Sequence, residues 1–317
     1  MVRGMERIQS DSRQMKYAIY LGSKCNLDCK YCHREATEEH GVTDTLLEKI
    51  KDADRITFIG GEPTMYMDEI KKVVDNTHAK YAITTNGVNF DRYRDYFKNH
   101  DFFVCISYDG NESLRGYDPF THVIDYPKLG VSCTLYHGNT NFHKIMRVFS
   151  EKERIIKRPL TFYPHIMHVT SERNRRYALT FDDMDSIINQ YLQILFRSID
   201  EYNVMGIVNM RYRGILSQMY DALHAGYRYG ETYCSNRYSH KVDTQGNEYS
   251  CLYIRDESPK DIKFSKQCKD CPVYSMCGGA CVKSIDHDLE CFFYGVLYET
   301  VKEHEDFLNE IGKELFA

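Results

Sequence analysis

The stretch GSKCNLDCKYCHRE, residues 22–35, decides most of what the sequence predicts, because it crowds three cysteines into the pattern C-x3-C-x2-C. Cys25, Cys29 and Cys32 cannot all lie on one face of a regular helix, whereas a loop can wrap them around one metal centre. A zinc ion would need a fourth protein ligand such as His33. An iron–sulfur cluster can instead leave one iron open to a substrate or cofactor.

The bulk composition is that of a folded globular protein. The chain has 317 residues, of which 42% are hydrophobic and 27% charged, and its formal net charge is −5. The charges are well mixed, so no basic block indicates a nucleic-acid partner. The first residues lack the apolar segment of a signal peptide, and no apolar run is long enough to span a membrane. We therefore expect a cytoplasmic protein with no membrane or nucleic-acid partner.

Cysteine is unusually frequent, with 12 residues in the chain. The cytosol keeps thiols reduced, so this content indicates metal ligation or redox chemistry rather than a disulfide framework. Ten of the 12 cysteines fall into two groups, over residues 25–32 and 234–291. Cys105 and Cys133 stand alone within apolar runs, and we expect both to pack as core residues.

Six short runs rich in Val, Ile, Phe, Tyr and Thr predict strands. They cover residues 16–21, 55–60, 80–85, 102–107, 131–136 and 160–167. Cap signals and apolar residues at three- and four-residue spacing predict helices over 43–53, 67–77, 142–154, 181–202 and, as one amphipathic helix, 296–316. Alternating strands and helices predict an α/β fold with a parallel sheet, and both a doubly wound sheet and a barrel fit this pattern.

The unusual loops all follow predicted strands. The three-cysteine stretch follows the first strand, GGEP (60–63) the second, TNG (85–87) the third and YDG (108–110) the fourth. In parallel α/β folds, active sites are built where the carboxyl ends of the strands meet. The sequence therefore predicts that these four loops form one site.

A second cysteine group lies in a turn-rich segment with little apolar core. Its spacing is C-x11-G-x4-C, then C-x2-C-x5-C-x3-C, then a final cysteine, and the glycine is Gly246. A segment of this kind needs bound metal to hold its fold. Two zinc ions are one way to satisfy its seven thiols, which belong to Cys234, Cys251, Cys268, Cys271, Cys277, Cys281 and Cys291.

The three-cysteine loop, with Tyr31 before its last cysteine, and the GGEP motif resemble the signatures of the radical S-adenosylmethionine superfamily. The resemblance implies a partial (β/α)6 TIM-like barrel over residues 15–200 and a [4Fe–4S] cluster on Cys25, Cys29 and Cys32. The fourth iron would bind the amino and carboxylate groups of S-adenosylmethionine. An electron delivered to the sulfonium would then release a 5′-deoxyadenosyl radical, which abstracts hydrogen from the substrate.

The same resemblance implies which residues contact S-adenosylmethionine. The GGEP glycines would let the backbone approach the ligand, Glu62 would accept from the methionine ammonium, and Arg115 would hold the methionine carboxylate. Ordinary turn chemistry is the alternative for Asn86, Ser107 and Asp109, and a solvated surface position is the alternative for Arg115. The full implied set is Tyr31, Gly60, Gly61, Glu62, Pro63, Asn86, Ser107, Asp109 and Arg115.

The second cysteine group, with its glycine, is similar to the SPASM extension of this superfamily. The resemblance implies a small cysteine-rich domain with a C-terminal helix over 231–317, joined to the barrel by a connector over 201–230. Two auxiliary clusters would bring the total to three [4Fe–4S] clusters. One would be held by Cys268, Cys271, Cys277 and Cys291. The other would be held by Cys234, Cys251 and Cys281, and its fourth position would be an open iron or a ligand such as Glu231 or His240.

Superfamily members with this pair of domains mostly modify peptides or protein side chains. The resemblance therefore implies an oxidoreductase that matures a ribosomally synthesised peptide, for example by forming a thioether or another side-chain crosslink. Alternatives within the superfamily are a sulfatase-maturase-like side-chain oxidase, a peptide epimerase and a small-molecule dehydrogenase. A zinc-stabilised binding protein is the alternative of another class.

The implied partners are a precursor peptide and an electron donor of flavodoxin or ferredoxin type. The first predicted strand begins near residue 16, so we expect no N-terminal leader-recognition domain. Leader binding would then need a separate leader-binding protein or the enzyme's own surface.

Side chains on the fifth and sixth predicted strands are candidates for contact with the substrate, namely Tyr136, His137, Tyr163 and His165. A histidine in this position can act as a general base or can be a hydrogen-bonded core residue. We take Tyr163 and His165 as the candidate catalytic residues.

Overall fold

The computed structural model describes residues 15–32, 34, 36–123, 125–232, 239–249, 266–281 and 284–316. The predicted ligands Cys234 and Cys251 and the alternative zinc ligand His33 lie outside these residues.

Six neighbouring parallel strands form the body of the fold. Their order across the sheet follows the chain order without a reversal. A doubly wound sheet reverses its strand order at a switch point, whereas a barrel winds continuously, so this order identifies the partial (β/α)6 barrel. All six predicted strands are confirmed, as β1 (Lys16–Tyr20), β2 (Arg55–Ile59), β3 (Lys80–Thr85), β4 (Phe103–Ser107), β5 (Leu129–Leu135) and β6 (Thr161–Ile166).

Helices connect the strands and cover the outside of the barrel. Thr43 begins the first helix, where its Oγ1 accepts from Leu46 N at 3.3 Å, and a capping box of Thr180 and Asp183 begins the longest one. Among the described residues, no helix is long and apolar enough to cross a bilayer. The helices of this part are α1 (Asp44–Ile50), α2 (Met67–Asp75), α3 (Phe90–Asn99), α4 (Phe120–Val123), α5 (Phe142–Ile156), α6 (Glu172–Arg175) and α7 (Phe181–Met205).

The two faces of the barrel sheet differ in burial. On the helix-covered face, strand residues such as Ile19, Phe58 and Val104 are fully buried. The alternate side chains face the lumen, and Thr57 and Ser132 there are only partly buried. The lumen therefore carries small and polar side chains that solvent reaches, together with the larger Phe103 and Tyr163.

The two isolated cysteines lie on opposite faces of the sheet. Cys133 is fully buried in the helix-facing core, as predicted. Cys105 lies on the lumen face between Thr84 and Gly130, and its residue surface is partly exposed. Burial of the thiol among lumen residues nonetheless raises the pKa of Cys105 to about 12. The apolar run that contains Cys105 does not reveal this difference, because both faces of β4 carry apolar residues.

The C-terminal part of the chain adds two strands to the barrel sheet. β7 (His240–Asp243) pairs in parallel with β1, and β8 (Glu248–Tyr249) pairs antiparallel with β7. The edge of the partial barrel beside β1 is therefore covered by a hairpin from a distant part of the sequence. The predicted domain boundary at residue 231 stays a prediction.

Gly246 has a structural reason for its place in the second cysteine motif. It lies in the β7–β8 turn at φ +83°, and an added Cβ would be 3.2 Å from Leu46 N at the start of α1. The same turn is held by Thr43 N, which donates to Thr244 O at 3.0 Å, and by Lys49 Nζ, which donates to Gly246 O at 2.7 Å. Only glycine combines this backbone conformation with such close contact.

The remaining helices pack beside β6 and α7. They are α8 (Arg213–Ala225), α9 (Tyr274–Cys277), α10 (His287–Glu303) and α11 (Glu305–Phe316). The sequence predicted one helix over 296–316, but the structure divides this tail at His304, where φ is −114° and ψ is 26°. The two segments pack on different neighbours, since Phe293 of α10 contacts Tyr191 of α7 and Gly312 of α11 approaches Tyr220 of α8. One continuous amphipathic pattern does not reveal such a bend.

Two helical glycines allow a matched test of this packing. A Cβ at Gly214 in α8 would lie 2.0 Å from Phe162 O in β6, whereas a Cβ at Gly295 in α10 would meet nothing within 4 Å. We expect Gly214→Ala to destabilise the protein by about 1–3 kcal/mol through forced displacement of α8. Gly295→Ala should stabilise it by about 1 kcal/mol, because alanine favours the helix. Denaturation midpoints measured side by side would contradict this packing if both substitutions shifted them in the same direction.

Candidate active site

The loop between β1 and α1 carries the three cysteines of the first motif. Cys25, Cys29 and Cys32 are free thiols, and each is partly exposed. Cys32 N donates to Cys29 O at 3.0 Å, which closes a turn within the motif. Lys30 N donates to Leu114 O at 3.0 Å and so ties this loop to the segment after β4. The first and fourth of the loops that the sequence predicts at one edge of the sheet are therefore in direct contact.

The charges around Cys29 indicate what this loop can hold. Burial raises the pKa of the Cys29 thiol, Arg115 lowers it, and Cys32 and Cys25 raise it. In the described part of the chain, no three His, Cys, Asp or Glu side chains are gathered closely enough to hold a metal ion. Iron supplies the positive charge that draws thiolates together. Three partly exposed thiols on one loop are a suitable donor set for an iron–sulfur cluster.

The GGEP turn after β2 packs its backbone directly against the cysteine loop. Gly61 N donates to Gly22 O at 2.9 Å, and Glu62 N donates to Lys24 O at 2.8 Å. A Cβ at Gly61 would lie 2.3 Å from Lys24 O, and one at Gly60 would lie 2.7 Å from Gly22 O. The close approach that these glycines permit is therefore between two loops, and their contact with a ligand stays a prediction.

Glu62 is buried and joins the second loop to the third. Its Oε1 accepts from Thr64 N at 3.0 Å, from Thr64 Oγ1 at 2.6 Å and from Thr85 Oγ1 at 2.7 Å. Its Oε2 accepts from Asn86 N at 2.8 Å. Burial raises the pKa of Glu62, and these hydrogen bonds offset part of that rise. Pro63 begins a short 3-10 helix after it, and Oε2 keeps one acceptor position for a ligand.

Asn86 connects the third loop to the cysteine loop. Its Nδ2 donates to Asn26 Oδ1 at 2.8 Å and lies 3.8 Å from Cys25 Sγ. Ser107 ends β4 on the lumen face and is partly buried. The structure thus brings Asn86 to the cysteine loop. Ser107 instead lies in the sheet, at the carboxyl end of β4.

Asp109, Arg115 and Tyr31 form a buried polar cluster at the fourth loop. Asp109 Oδ2 accepts from Tyr31 OH at 2.6 Å and from Arg115 Nε at 2.9 Å, and the guanidinium lies 5.3 Å from the centre of the Tyr31 ring. Burial lowers the pKa of Arg115, but Asp109, Tyr31 and Cys29 raise it above its usual value. The Arg115 side chain is only 11% exposed, so the solvated-surface alternative is wrong.

Sequence reasoning missed several residues that hold these loops in place. Asp109 Oδ1 accepts from Thr134 N and its backbone oxygen accepts from Asn139 Nδ2, both at 3.0 Å. On the outer side of the cysteine loop, Glu39 Oε1 accepts from Tyr66 OH at 2.7 Å. These residues lie outside the motifs, and only the folded chain brings them to the site.

Two of the four side chains expected to face the substrate have structural contacts at the rim instead. Tyr136 is buried, and its ring lies 5.6 Å from the Tyr31 ring. His137 Nδ1 lies 2.7 Å from Asp183 Oδ2 at the start of α7. Tyr136 therefore supports the Tyr31 cluster, and His137 supports α7.

Tyr163 and His165 lie on the lumen face of β6, beside Ser132 and Thr134 of β5. Solvent reaches His165 through the lumen, although protein surrounds the imidazole. Burial, and then the charge of His168, lower the pKa of His165 to about 4. The imidazole is neutral at neutral pH and can accept a proton. Both residues are thus positioned for the lumen, and their catalytic role stays a prediction.

Four of the second-group cysteines lie near one another. Burial raises the pKa of Cys277 to about 11, with further increases from Cys271 and Cys268. Burial also raises the pKa of Cys291, and Cys271 again adds to it. These are the four cysteines that the resemblance assigned to one auxiliary cluster. Their ligation stays a prediction.

A buried carboxylate connects the barrel to the remaining described cysteine. Glu290 is 2% exposed, and its Oε1 lies 2.7 Å from Nδ1 of His168, just beyond β6. Its Oε2 accepts from Cys281 N at 3.0 Å. Burial raises the pKa of Glu290, but the hydrogen bond and charge of His168, together with the hydrogen bonds from Ser284 and Cys281 N, leave it below its usual value. This link was not predicted, because no spacing pattern connects these residues.

The two alternative ligands proposed for the other auxiliary cluster have contacts of their own. His240 Nδ1 lies 2.7 Å from Glu248 Oε1, and its ring stacks on Tyr17 with centroids 5.1 Å apart. Glu231 Oε2 accepts from Arg228 N at 2.8 Å. Whether either residue binds a cluster stays a prediction.

Comparison with known proteins agrees with this geometry. A family described as a 4Fe-4S single cluster domain matches residues 15–115, which contain all four site loops. The radical SAM cyclopropyl synthase TigE of Paramaledivibacter caminithermalis is 22% identical, over 90% of this chain and 71% of that protein.

Solved structures share the fold over most of the chain. The structure of anSMEcpe with bound AdoMet and Kp18Cys peptide superposes with a TM-score of 0.65 at 17% identity, covering 94% of this chain and 100% of that one. Streptococcus suis SuiB bound to precursor peptide SuiA superposes with a TM-score of 0.56 at 15% identity, covering 84% of this chain and 72% of that one.

The barrel, the three-thiol loop and these matches make the chain similar to enzymes that use an iron–sulfur cluster together with S-adenosylmethionine. Over most of its length the chain is thus similar to the radical SAM enzyme TigE, and it shares the fold of anSMEcpe and SuiB.

Gly61 provides a test of the contact between the second loop and the cysteine loop. We expect Gly61→Ala to displace the cysteine loop, because the added Cβ would meet two backbone oxygens, Lys24 O at 2.3 Å and Ser23 O at 2.5 Å. The variant should retain less iron after anaerobic reconstitution. Gly41→Ala is the control, since its Cβ would meet only the end of the Glu69 side chain at 3.3 Å. Equal iron retention in the two variants would contradict this account.

The buried Asp109–Arg115 pair provides a test of the fourth loop. We expect Asp109→Asn to destabilise the protein by about 3–5 kcal/mol, because it leaves a buried guanidinium without its counter-charge. The exposed pair of Glu172 and Arg175 is the control, and Glu172→Gln should cost less than about 1 kcal/mol. Urea denaturation of both variants measures the difference. Equal costs would show that the Asp109–Arg115 pair is not buried as described.

Proposed function

We propose that this enzyme holds its S-adenosylmethionine-binding [4Fe–4S] cluster on Cys25, Cys29 and Cys32 and oxidatively modifies a peptide. The observation that carries the proposal is the position of three partly exposed thiols on one loop at the open carboxyl edge of the barrel. Held by these thiols, the cluster and its cofactor would supply the 5′-deoxyadenosyl radical chemistry that removes a hydrogen atom from the substrate.

The neighbouring loops would bind and orient the methionine part of the cofactor. Glu62 Oε2 would accept from the ammonium group, because Asn86 N occupies only one of its two acceptor positions. Arg115 uses Nε for Asp109, and its other N–H groups would hold the carboxylate. Asp109 and Tyr31 keep the guanidinium in place. The wider cofactor set remains the one predicted from the sequence, including Gly60, Gly61, Pro63 and Ser107.

The lumen residues of β6 would act on the substrate. His165 is neutral and accessible from the lumen, so it would accept the proton that the substrate loses as it is oxidised. Tyr163 would lie against the substrate from the same face. The electron lost in that step needs an acceptor, for which we propose the auxiliary clusters.

The proposal includes two auxiliary clusters and so three [4Fe–4S] clusters in all. Cys271 lies close enough to Cys277 and to Cys291 to raise the pKa of each, and Cys268 also raises the pKa of Cys277, which supports the assignment of one cluster to these four cysteines. Cys281, held by Glu290, would serve the other cluster together with Cys234 and Cys251. A donor of flavodoxin or ferredoxin type would supply the first electron.

The peptide substrate is supported by the relatives. SuiB was solved with a precursor peptide and anSMEcpe with the Kp18Cys peptide. We propose a ribosomally synthesised precursor peptide as substrate here, with a thioether or another side-chain crosslink as the product.

Reconstitution under anaerobic conditions tests the proposed chemistry. Three clusters of four irons give about 12 irons per chain. S-adenosylmethionine and a chemical reductant should then yield 5′-deoxyadenosine. Replacement of Cys25, Cys29 and Cys32 by Ala should abolish that product, whereas Cys133→Ala should retain it, because Cys133 is buried in the helix-facing core. Formation of 5′-deoxyadenosine by the triple variant would refute the assignment.

Mass spectrometry tests the proposed substrate. A precursor peptide encoded beside this protein and co-expressed with it should lose the mass of a pair of hydrogen atoms when a crosslink forms. The product should be absent from co-expression with the triple-cysteine variant. If the peptide mass is unchanged in ordinary water but increases through deuterium uptake in labelled water, the enzyme is an epimerase instead.

A further inference from the structure

A long basic cleft runs along the outside of the barrel, away from the thiols and the lumen. Its upper part is a cavity of about 400 Å³ between α5 and α7, and its lower part is a cavity of about 530 Å³ between α5 and the segment around Met210. Ser150 and Arg211 line both parts, so the two cavities are continuous.

The charge of the cleft is opposite to that of the whole chain, whose net charge is −5. Six cations line it, and Glu153 is the one carboxylate among the described residues that do so. Arg211 lies 2.8 Å from Glu153 Oε2, and Arg197 Nε lies 2.7 Å from Glu201 Oε1. The excess positive charge remains with the other cations, which are Arg147, Arg154, Lys157 and Arg158.

Three of those cations are available to a ligand. Arg147, Arg154 and Lys157 are exposed, and no salt bridge joins them to any carboxylate in the described part of the chain. Arg147 and Arg154 are seven residues apart in α5, so they share one side of the helix, and Lys157 follows at its C-terminal cap. A row of exposed cations of this kind attracts an acidic partner.

The floor of the cleft is apolar. Phe142 and Ile194 are almost fully buried in it, and Met146 and Tyr212 are partly exposed. A floor of this kind favours a partner with apolar side chains between its carboxylates. A small inorganic anion would use the cations and leave the apolar floor uncovered.

The length of the cleft indicates an extended partner. α5 has 15 residues, which corresponds to about 22 Å of helix. An extended peptide covers that distance with about seven residues. A concave cleft of this length suits a peptide segment better than the convex surface of a globular protein.

The upper end of the cleft is connected to the site. Phe142 N donates to Gln190 Oε1 at 2.6 Å, and Gln190 Nε2 donates to Thr140 O at 2.8 Å, which fixes the loop between β5 and α5. Asn139 of that loop donates to Asp109 O at 3.0 Å. A chain that leaves the cleft at this end therefore emerges at the rim that carries the Asp109–Arg115 pair.

We infer that this cleft binds an acidic segment of the peptide substrate that lies outside the modified part. This inference rests on the proposed function, because it names the partner surface by which that substrate is captured. Carboxylates of the segment pair with Arg147, Arg154 and Lys157, and its apolar residues cover the floor. The rest of the peptide then passes over the rim into the lumen.

Fluorescence anisotropy with the reconstituted full chain tests the inference. The probe is a short fluorescein-labelled peptide of Glu, Leu and Phe, and its matched control carries Lys in place of each Glu. We expect the acidic peptide alone to bind, and its affinity to fall as salt is raised. Arg147→Glu combined with Arg154→Glu should weaken binding at least about tenfold.

The control pair is Arg92→Glu with Lys98→Glu. These two exposed cations lie on α3 outside the cleft, and Lys98 lies in the last turn of α3 as Arg154 does in the last turn of α5. The control pair should leave binding unchanged. Equal effects of the two pairs, or equal binding of the acidic and basic peptides, would overturn the inference.

A second measurement separates this inference from the proposed function. All these variants should form 5′-deoxyadenosine without peptide at the rate of the unaltered enzyme, because the cleft lies outside the lumen. Absence of that product from every form would refute the proposed chemistry and leave the binding result to be judged alone. If an acidic flavodoxin binds the cleft in competition assays and the acidic peptide does not, the cleft serves the electron donor and our inference is wrong.

Discussion

Contact between two backbones is the constraint on which the site depends. The GGEP turn lies against the cysteine loop through two N–H···O hydrogen bonds, and neither Gly60 nor Gly61 has room for a side chain. The carbonyl oxygens of Gly22 and Lys24 are thereby satisfied within a partly buried loop. Glu62 extends this arrangement to the third loop. Three loops are therefore aligned by one close approach and one buried carboxylate.

A buried positive charge complements this backbone scaffold. Arg115 is held by Asp109 and lies close enough to Cys29 to lower the pKa of its thiol, against the opposing effects of burial and the other thiols. A fixed guanidinium beside a loop of thiolates offsets part of their mutual repulsion. Its cost in desolvation is met by the ion pair with Asp109 and by the hydrogen bonds that Asp109 accepts from Tyr31 and Thr134.

The C-terminal part of the chain is joined to the barrel at two separate places. β7 extends the sheet beside β1, and Gly246 seats its hairpin on α1. On the other side, Glu290 links His168, just beyond β6, to the backbone of Cys281. The second cysteine group is thus anchored near both ends of the barrel sheet. The described segments that flank this group are therefore held to the barrel by buried or backbone contacts.

Local pattern was sufficient for the six strands, most of the helices and the two cysteine groups, because each depends on residues close together in the chain. The same was true of the order of the four loops, since parallel strands place their carboxyl ends at one edge. The resemblance supplied the class of enzyme that the comparisons then supported. It also named Asp109 and Arg115 separately, without indicating that they pair.

Only the tertiary structure decided which side chains meet. The Tyr31–Asp109–Arg115 cluster, the Glu290 link and the basic cleft join residues far apart in the chain, and no spacing pattern records such contacts. The lumen position of Cys105 and the bend at His304 also depended on packing, because apolar periodicity shows that a face is buried but not which neighbour buries it. Sequence therefore determined the elements and the ligand types, and packing determined their contacts.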